Sequence, residues 1–264
     1  MSVCAVDSEL GTVQPIRQIT EILKDFPNCR LHVDATQAIG KTELVMDGVD
    51  TMSIAPHKFY GLNGSGLLLK KSSVIIEPQI HGGSSTTLYR SGTPALALAV
   101  SIEKALQLTL TQQEERIRCV RQLNEYLKTA LLHYPSVRIN SPEGAVPHIL
   151  NLSVQGLKGT VFQRVLSERG VCVSVKSACS AEGTPSKAVF AVSGDRKNAL
   201  SSWRVSLSHL TTREELDEFL QVFELQRVGS MKNPLDYQIS KYDCGSTAML
   251  NDASFRFQGK DIPL

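Results

Sequence analysis

An α/β fold with a mostly parallel sheet is predicted by two patterns in this sequence. Short apolar, strand-like runs alternate with segments of helical spacing, the order that a parallel sheet with crossover helices requires. Two of those runs also close on chemically useful groups: Asp34 follows Leu31-His32-Val33, and Lys58 follows Met52-Ser53-Ile54-Ala55-Pro56-His57. In open parallel sheets, ligands collect at the carboxyl ends of strands, which is where both groups fall. The chain has 264 residues, 42% hydrophobic and 20% charged, enough for one large domain or two modest ones.

Taken in order, Val3 to Val6 reads as a strand followed by the loop Asp7-Ser8-Glu9-Leu10-Gly11. Pro15 stands near the start of a helix whose apolar residues Ile16, Ile19, Leu23 and Phe26 follow helical spacing. Strands are expected at 31–34, 49–55 and 65–69. Pro94 to about Tyr134 reads as long-helical, with Gln112-Gln113-Glu114-Glu115-Arg116 as a polar break, and a helix of that length often joins two domains. Beyond Pro135 come a strand at 149–154, a helix at 159–169 and, after Gly170, a strand from Val171 to Val175. Thr211-Thr212-Arg213-Glu214 reads as a capping box opening a last helix, with Leu216, Phe219, Leu220 and Phe223 on one face. The expected division is 1–110 as a large domain, 111–230 as a smaller α/β domain and 231–264 as an unrelated tail.

The net charge of +2, with both signs interspersed, leaves no electrostatic footprint for nucleic acid. Apolar runs such as Ala95 to Val100 are too short to span a bilayer, and no secretory signal opens the chain, so a cytoplasmic location is expected. The cysteines, Cys4, Cys29, Cys119, Cys172, Cys179 and Cys244, form no C-x-x-C pair. Neither a zinc site nor a disulfide framework is expected.

An acid at one strand end and a lysine at the next suit pyridoxal phosphate. Lysine forms a Schiff base with its aldehyde, and a carboxylate keeps the pyridine nitrogen protonated so that the ring acts as an electron sink. Gln37 either donates a hydrogen bond to the ring oxygen or bonds loop backbone, and His57 beside Lys58 can stack near the ring or shuttle a proton. His81-Gly82-Gly83 and Arg90-Ser91-Gly92-Thr93 form a Gly- and hydroxyl-rich stretch suited to approaching a phosphate. Cys179, among small polar residues, is the better candidate for a nucleophile than Cys172, which sits in an apolar run. Arg204, inside a strand-like run, needs a partner, either a substrate carboxylate or a structural salt bridge.

Six ordered motifs resemble those of the cysteine desulfurases, pyridoxal-phosphate enzymes of the class V aminotransferase group. They are Gly11-Thr12-Val13-Gln14-Pro15-Ile16, His32-Val33-Asp34-Ala35-Thr36-Gln37, His57-Lys58-Phe59-Tyr60-Gly61, Arg90-Ser91-Gly92-Thr93, Ser177-Ala178-Cys179-Ser180 and Trp203-Arg204-Val205-Ser206. The resemblance covers roughly residues 1 to 228 and implies an incomplete fold-type I aminotransferase-like architecture: a mostly parallel large domain binding the cofactor and a smaller α/β C-terminal domain carrying the Cys loop. It implies that Lys58 is the Schiff-base lysine, Asp34 the partner of the pyridine nitrogen and Gln37 the donor to the ring hydroxyl oxygen. His57 would lie at the cofactor, and Thr93 would reach the phosphate of a neighbouring subunit in a homodimer. Cys179 would take sulfur from L-cysteine as a persulfide, leaving alanine, while Arg204 holds the substrate carboxylate. A sulfur-acceptor protein, serving iron–sulfur cluster assembly or tRNA thiolation, is the implied partner.

Three departures are visible. The resemblance implies an N-terminally truncated chain that begins mid-domain. Asp7 and Ser8 stand where an Asn pair is expected, and Ala55 where a phosphate-binding Ser is expected. Each lost hydrogen bond to a charged phosphate is worth about 1.5–3 kcal/mol, so weak binding of pyridoxal phosphate is expected. The alternatives are a catalytically inactive remnant or interaction protein of the same family, and a selenocysteine lyase-like enzyme. From Met231 the tail resembles the start of a papain-like peptidase, with Gln238 as oxyanion donor and Cys244 as nucleophile. Without its His and acidic partners, peptidase activity is not expected.

Overall fold

Strand β1 (Ser2–Cys4) pairs in parallel with β2 (His32–Asp34) after a crossover through helix α1 (Ile16–Leu23). Parallel neighbours cannot be joined by a tight turn, so the chain needs such a crossover. β3 (Thr51–Ile54) adds in parallel to β2, and β4 (Leu67–Lys70) returns antiparallel on β3, giving the order β1-β2-β3-β4. The computed structural model describes residues 1–83, 87–176 and 183–232. They divide into two compact units, one of Met1–Asp7 with Val13–Glu115, the other of Ser8–Thr12 with the chain from Arg116.

In the first unit the sheet's two faces differ. Val33 and Met52 are buried on one side, whereas Cys4, His32, Asp34, Thr51 and Ser53 lie on the other, half-buried or exposed. Cross-strand register aligns Cys4, Asp34 and Ser53 in one row at the carboxyl ends. Helix α1 follows Pro15 and buries Ile16 and Thr20. It stops at Leu23, so Phe26 lies beyond the helix and is exposed rather than on its apolar face. The long helical segment is two helices, α2 (Leu96–Thr111) and α3 (Gln113–Leu131), broken at Gln112.

The second unit is built on an antiparallel sheet, β5 (Val137–Ile139), β6 (Ile149–Val154) and β7 (Ser202–Ser206), in that order. All six residues of β6 are buried, because both faces are covered. Leu150, Leu152 and Val154 join a core with Val120 and Leu127 of α3, Phe162 and Leu166 of α4 (Gly159–Ser167), Trp203, and Phe219 and Phe223 of α7 (Arg213–Lys232). The alternate residues face a polar lattice. Asn140 donates to Asn151 Oδ1 at 3.0 Å and to Ser153 Oγ at 2.7 Å, and Asn198 donates back to Asn140 at 2.9 Å. Asn151 also donates to the Glu9 carbonyl, and buried Glu9 accepts from Ser186 Oγ at 2.5 Å. Ser186 in turn caps α5 (Lys187–Ser193), and Asp195 caps α6 (Arg196–Ser201).

Two sequence expectations are corrected here. Val171 to Val175 is not a strand; only Ser174 pairs, as an isolated bridge to Arg204. The Val171 N–H is taken by the Leu166 carbonyl and the Val173 carbonyl by Gln163 Nε2, which leaves no ladder to extend. The capping box opening α7 is one residue further on: Glu215 N–H donates to Thr212 Oγ1, and Thr212 N–H to Glu215 Oε2.

His209 links this unit's stability to pH. Burial, then the nearby Arg116 charge, holds its imidazole below the ordinary histidine range. The unfolded chain therefore binds that proton more tightly, and stability falls as pH drops below about 6.5. His209→Gln is expected to flatten the acid limb of a plot of urea midpoint against pH, leaving its neutral value nearly unchanged.

Candidate active site

The site grows from the carboxyl ends of β2 and β3. Asp34 ends β2, its carbonyl accepting from Ala5 N–H at 2.8 Å while the next amide, of Ala35, donates to Ser53 O at 2.9 Å. The backbone is thus fixed from both neighbouring strands. Its carboxylate is exposed; Oδ1 accepts from Thr36 N–H at 2.9 Å, and Oδ2 has no partner among the described residues. Below it on the same face, His32 bridges two hydroxyls, Thr51 at 2.9 Å and Ser53 at 3.2 Å. Cys4 shares the row, and burial followed by the Asp7 and Asp34 carboxylates pushes its thiol up, keeping it protonated near neutral pH.

The chain leaves β3 through Ala55 into a 3-10 turn, Pro56–Phe59, which carries His57 and Lys58. Proline suits the first position because its missing N–H would be unsatisfied there. Buried Pro56 and Phe59 anchor the turn, and His57 and Lys58 are half-buried between them. Tyr60 closes the turn at φ +73°, the one positive φ outside glycine among the described residues. Such backbone strain, of order 1–3 kcal/mol, persists where the surroundings over-determine it. Gly61 N–H then returns to Pro56 O at 2.9 Å; a Cβ at Gly61 would lie 2.8 Å from Pro56 Cβ, so glycine is required.

Gln37 is half-buried in the turn after Asp34. Lys41 Nζ donates to its Oε1 at 2.7 Å, and its Nε2 has no partner among the described residues. The donor and acceptor types of Asp34, Gln37 and Lys58 match a pyridine ring bearing an N–H, a phenolic oxygen and an aldehyde: an open carboxylate oxygen, an open amide donor and an amine. The residues present therefore fit pyridoxal phosphate at its ring. The phosphate end is thinner, since Ala55 offers no hydroxyl. Thr93 is exposed just before α2, beyond Gly92 at φ +114°.

Arg204 belongs to the second unit. It is 5% exposed, bonded through Nε to Ser206 Oγ at 3.2 Å and through a terminal nitrogen to the Ser8 carbonyl at 2.5 Å. Cys179, with residues 177–182, and Gln238 and Cys244 in the tail from 233 onward lie outside the described residues. Sequence reasoning missed Lys41, His32 and Glu9. A lysine four residues past Gln37, across a glycine, was the available signal for the first.

The family profile described as aminotransferase class-V matches residues 1–219. A NifS/IcsS protein homolog from Lactobacillus delbrueckii subsp. bulgaricus is 35% identical over 230 residues, covering 85% of this chain and 60% of that protein. The cysteine desulfurase IscS of Dictyoglomus turgidum is 32% identical over 229 residues, covering 85% of this chain and 58% of its own length. The chain thus spans about three-fifths of the relatives it matches. Among solved structures, a NifS-like protein superposes with a TM-score of 0.77 at 31% identity, covering 86% of this chain and 60% of the other. SspA in complex with cysteine gives 0.65 at 28% identity, over 80% of this chain and 59% of the other. Pyridoxal phosphate is the cofactor of these enzymes. A profile match through residue 219, joined to this likeness of fold, shows that the chain belongs to the class V aminotransferase family.

Proposed function

We propose that this protein is a cysteine desulfurase that moves sulfur from L-cysteine onto Cys179 and releases alanine. One observation carries the reading: Asp34 and Lys58 follow from the carboxyl ends of adjacent parallel strands, the placement needed to hold one ring at its nitrogen and its aldehyde carbon. The cysteine in the related SspA structure supports the substrate class. Pyridoxal phosphate, when bound, supplies an electron sink for the substrate's Cα. Asp34 holds the proton on the pyridine nitrogen, Gln37 donates to the ring oxygen, and Lys58 anchors the aldehyde carbon. His57, beside Lys58, acts as the proton shuttle. Arg204 supplies a guanidinium for the substrate carboxylate. The Cys179 thiolate attacks the substrate sulfur; an S–S bond forms, the substrate's Cβ–S bond breaks, and the carbon takes up a proton to become the methyl group of alanine. A sulfur-acceptor protein of iron–sulfur assembly or tRNA thiolation then takes the persulfide sulfur, in the cytoplasm.

Alanine and sulfide release from L-cysteine, with saturating cofactor and a thiol reductant, tests this. Production lost in both Lys58→Ala and Cys179→Ala supports the desulfurase. No alanine from the parent chain overturns it in favour of an inactive remnant, and turnover of L-selenocysteine alone favours the lyase. Saturating cofactor is needed because Ala55 removes a hydrogen bond at the phosphate, a loss of about tenfold or more in affinity.

A homodimer accompanies this reading. Helix α2 buries Ile102 and Ala105 yet leaves Leu96, Val100, Leu108 and Leu110 exposed, and apolar side chains grouped this way mark an interaction surface. Thr93, just before it, would reach the partner copy's phosphate. Leu96→Glu with Val100→Glu is expected to shift sedimentation from dimer to monomer; an unchanged sedimentation coefficient would remove α2 from the interface.

A further inference from the structure

We propose that Lys41 is a positioning residue that fixes which end of the Gln37 amide faces the cofactor. The inference rests on the reading that Gln37 meets the ring oxygen. A carboxamide presents a donor at one end and an acceptor at the other, and rotating it by half a turn would place oxygen against oxygen. Lysine settles the choice, because an ammonium only donates. The atom 2.7 Å from Lys41 Nζ must be Oε1, which turns Nε2 outward as the donor.

The clamp is itself held rigidly. Residues 35–42 form a tight turn, with Ala38 N–H and Ile39 N–H both bonded to Ala35 O and Lys41 N–H bonded to Ala38 O. Gly40 makes the return possible at φ +72°. A Cβ there would lie 2.2 Å from Thr109 Cγ2, so α2 packs directly on the turn. Thr109, 3% exposed, also donates to the Phe59 carbonyl at 3.3 Å, in the turn that carries Lys58. Gln113 Nε2 bonds Thr42 O at 3.1 Å on the far side of Lys41. Lys41 therefore reaches Gln37 from a backbone tied to the same helix that braces the Lys58 turn.

A donor to the ring oxygen stabilises its anionic form and lowers the pH at which the bound cofactor's visible band converts. The full chain with saturating pyridoxal phosphate is titrated by absorbance, and the Gln37 side-chain ¹⁵N–¹H₂ signal is recorded without cofactor. Gln37→Ala is expected to raise the band's midpoint by roughly one pH unit. Lys41→Met should raise it in the same direction and move the Gln37 signal, Lys41→Arg should restore both, and Lys41→Met should add little in the Gln37→Ala background. An unmoved Gln37 signal and midpoint in Lys41→Met, beside a shift in Gln37→Ala, overturns the positioning role alone. No shift in Gln37→Ala, or no visible band, overturns the underlying Gln37 reading and this inference with it.

Discussion

Lys58→Ala is expected to lower alanine formation by at least about a thousandfold, because no other group restores the covalent attachment once the amine is gone. The loss is chemical rather than structural. Pro56 and Phe59 bury the 3-10 turn, whereas Lys58 is half-buried between them. The urea midpoint should therefore stay close to that of the parent. Asp34→Ala should fall between the two, since the turn it leads into keeps its backbone bonds to β1 and β3 while the ring loses its countercharge. Steady-state assays at saturating cofactor, with unfolding curves on the same samples, separate these effects.

Trp203→Ala should have the largest effect on stability, about 3–5 kcal/mol in the second unit. Trp203 is 0% exposed and meets Phe162 at 5.2 Å, Phe219 at 6.2 Å and Phe223 at 6.3 Å between ring centroids. Its indole N–H is buried without a partner among the described residues, so truncation sacrifices no hydrogen bond and the whole cost is lost packing. Trp203→Phe should retain more of that stability than Trp203→Ala. Urea denaturation followed by circular dichroism measures both.

Much of the sheet, and the position of Asp34 and Lys58 where its strands run out, was legible because local signals agreed with the global fold. Asp34 and Lys58 could be placed at strand ends because apolar runs of strand length stop there, at a turn and at a proline. Val171 to Val175 misled for the opposite reason. Its β-branched composition favours a strand, but α4 and Gln163 claim the backbone groups a strand would need. Phe26 kept the helical period after the helix had ended. The Glu9–Ser186 bond joins residues 177 positions apart, and the Thr109–Phe59 bond spans 50. No periodicity encodes contacts of that separation. Lys41 lay within local reach of Gln37, yet its significance depends on a turn that Gly40 and Thr109 create together.

Borohydride reduction of the chain in the presence of pyridoxal phosphate, followed by peptide mass spectrometry, reads the attachment point itself. A phosphopyridoxyl group on Lys58, much reduced when Asp34 is replaced by alanine, is the result this account requires. Labelling spread over surface lysines with Lys58 unmodified would contradict it.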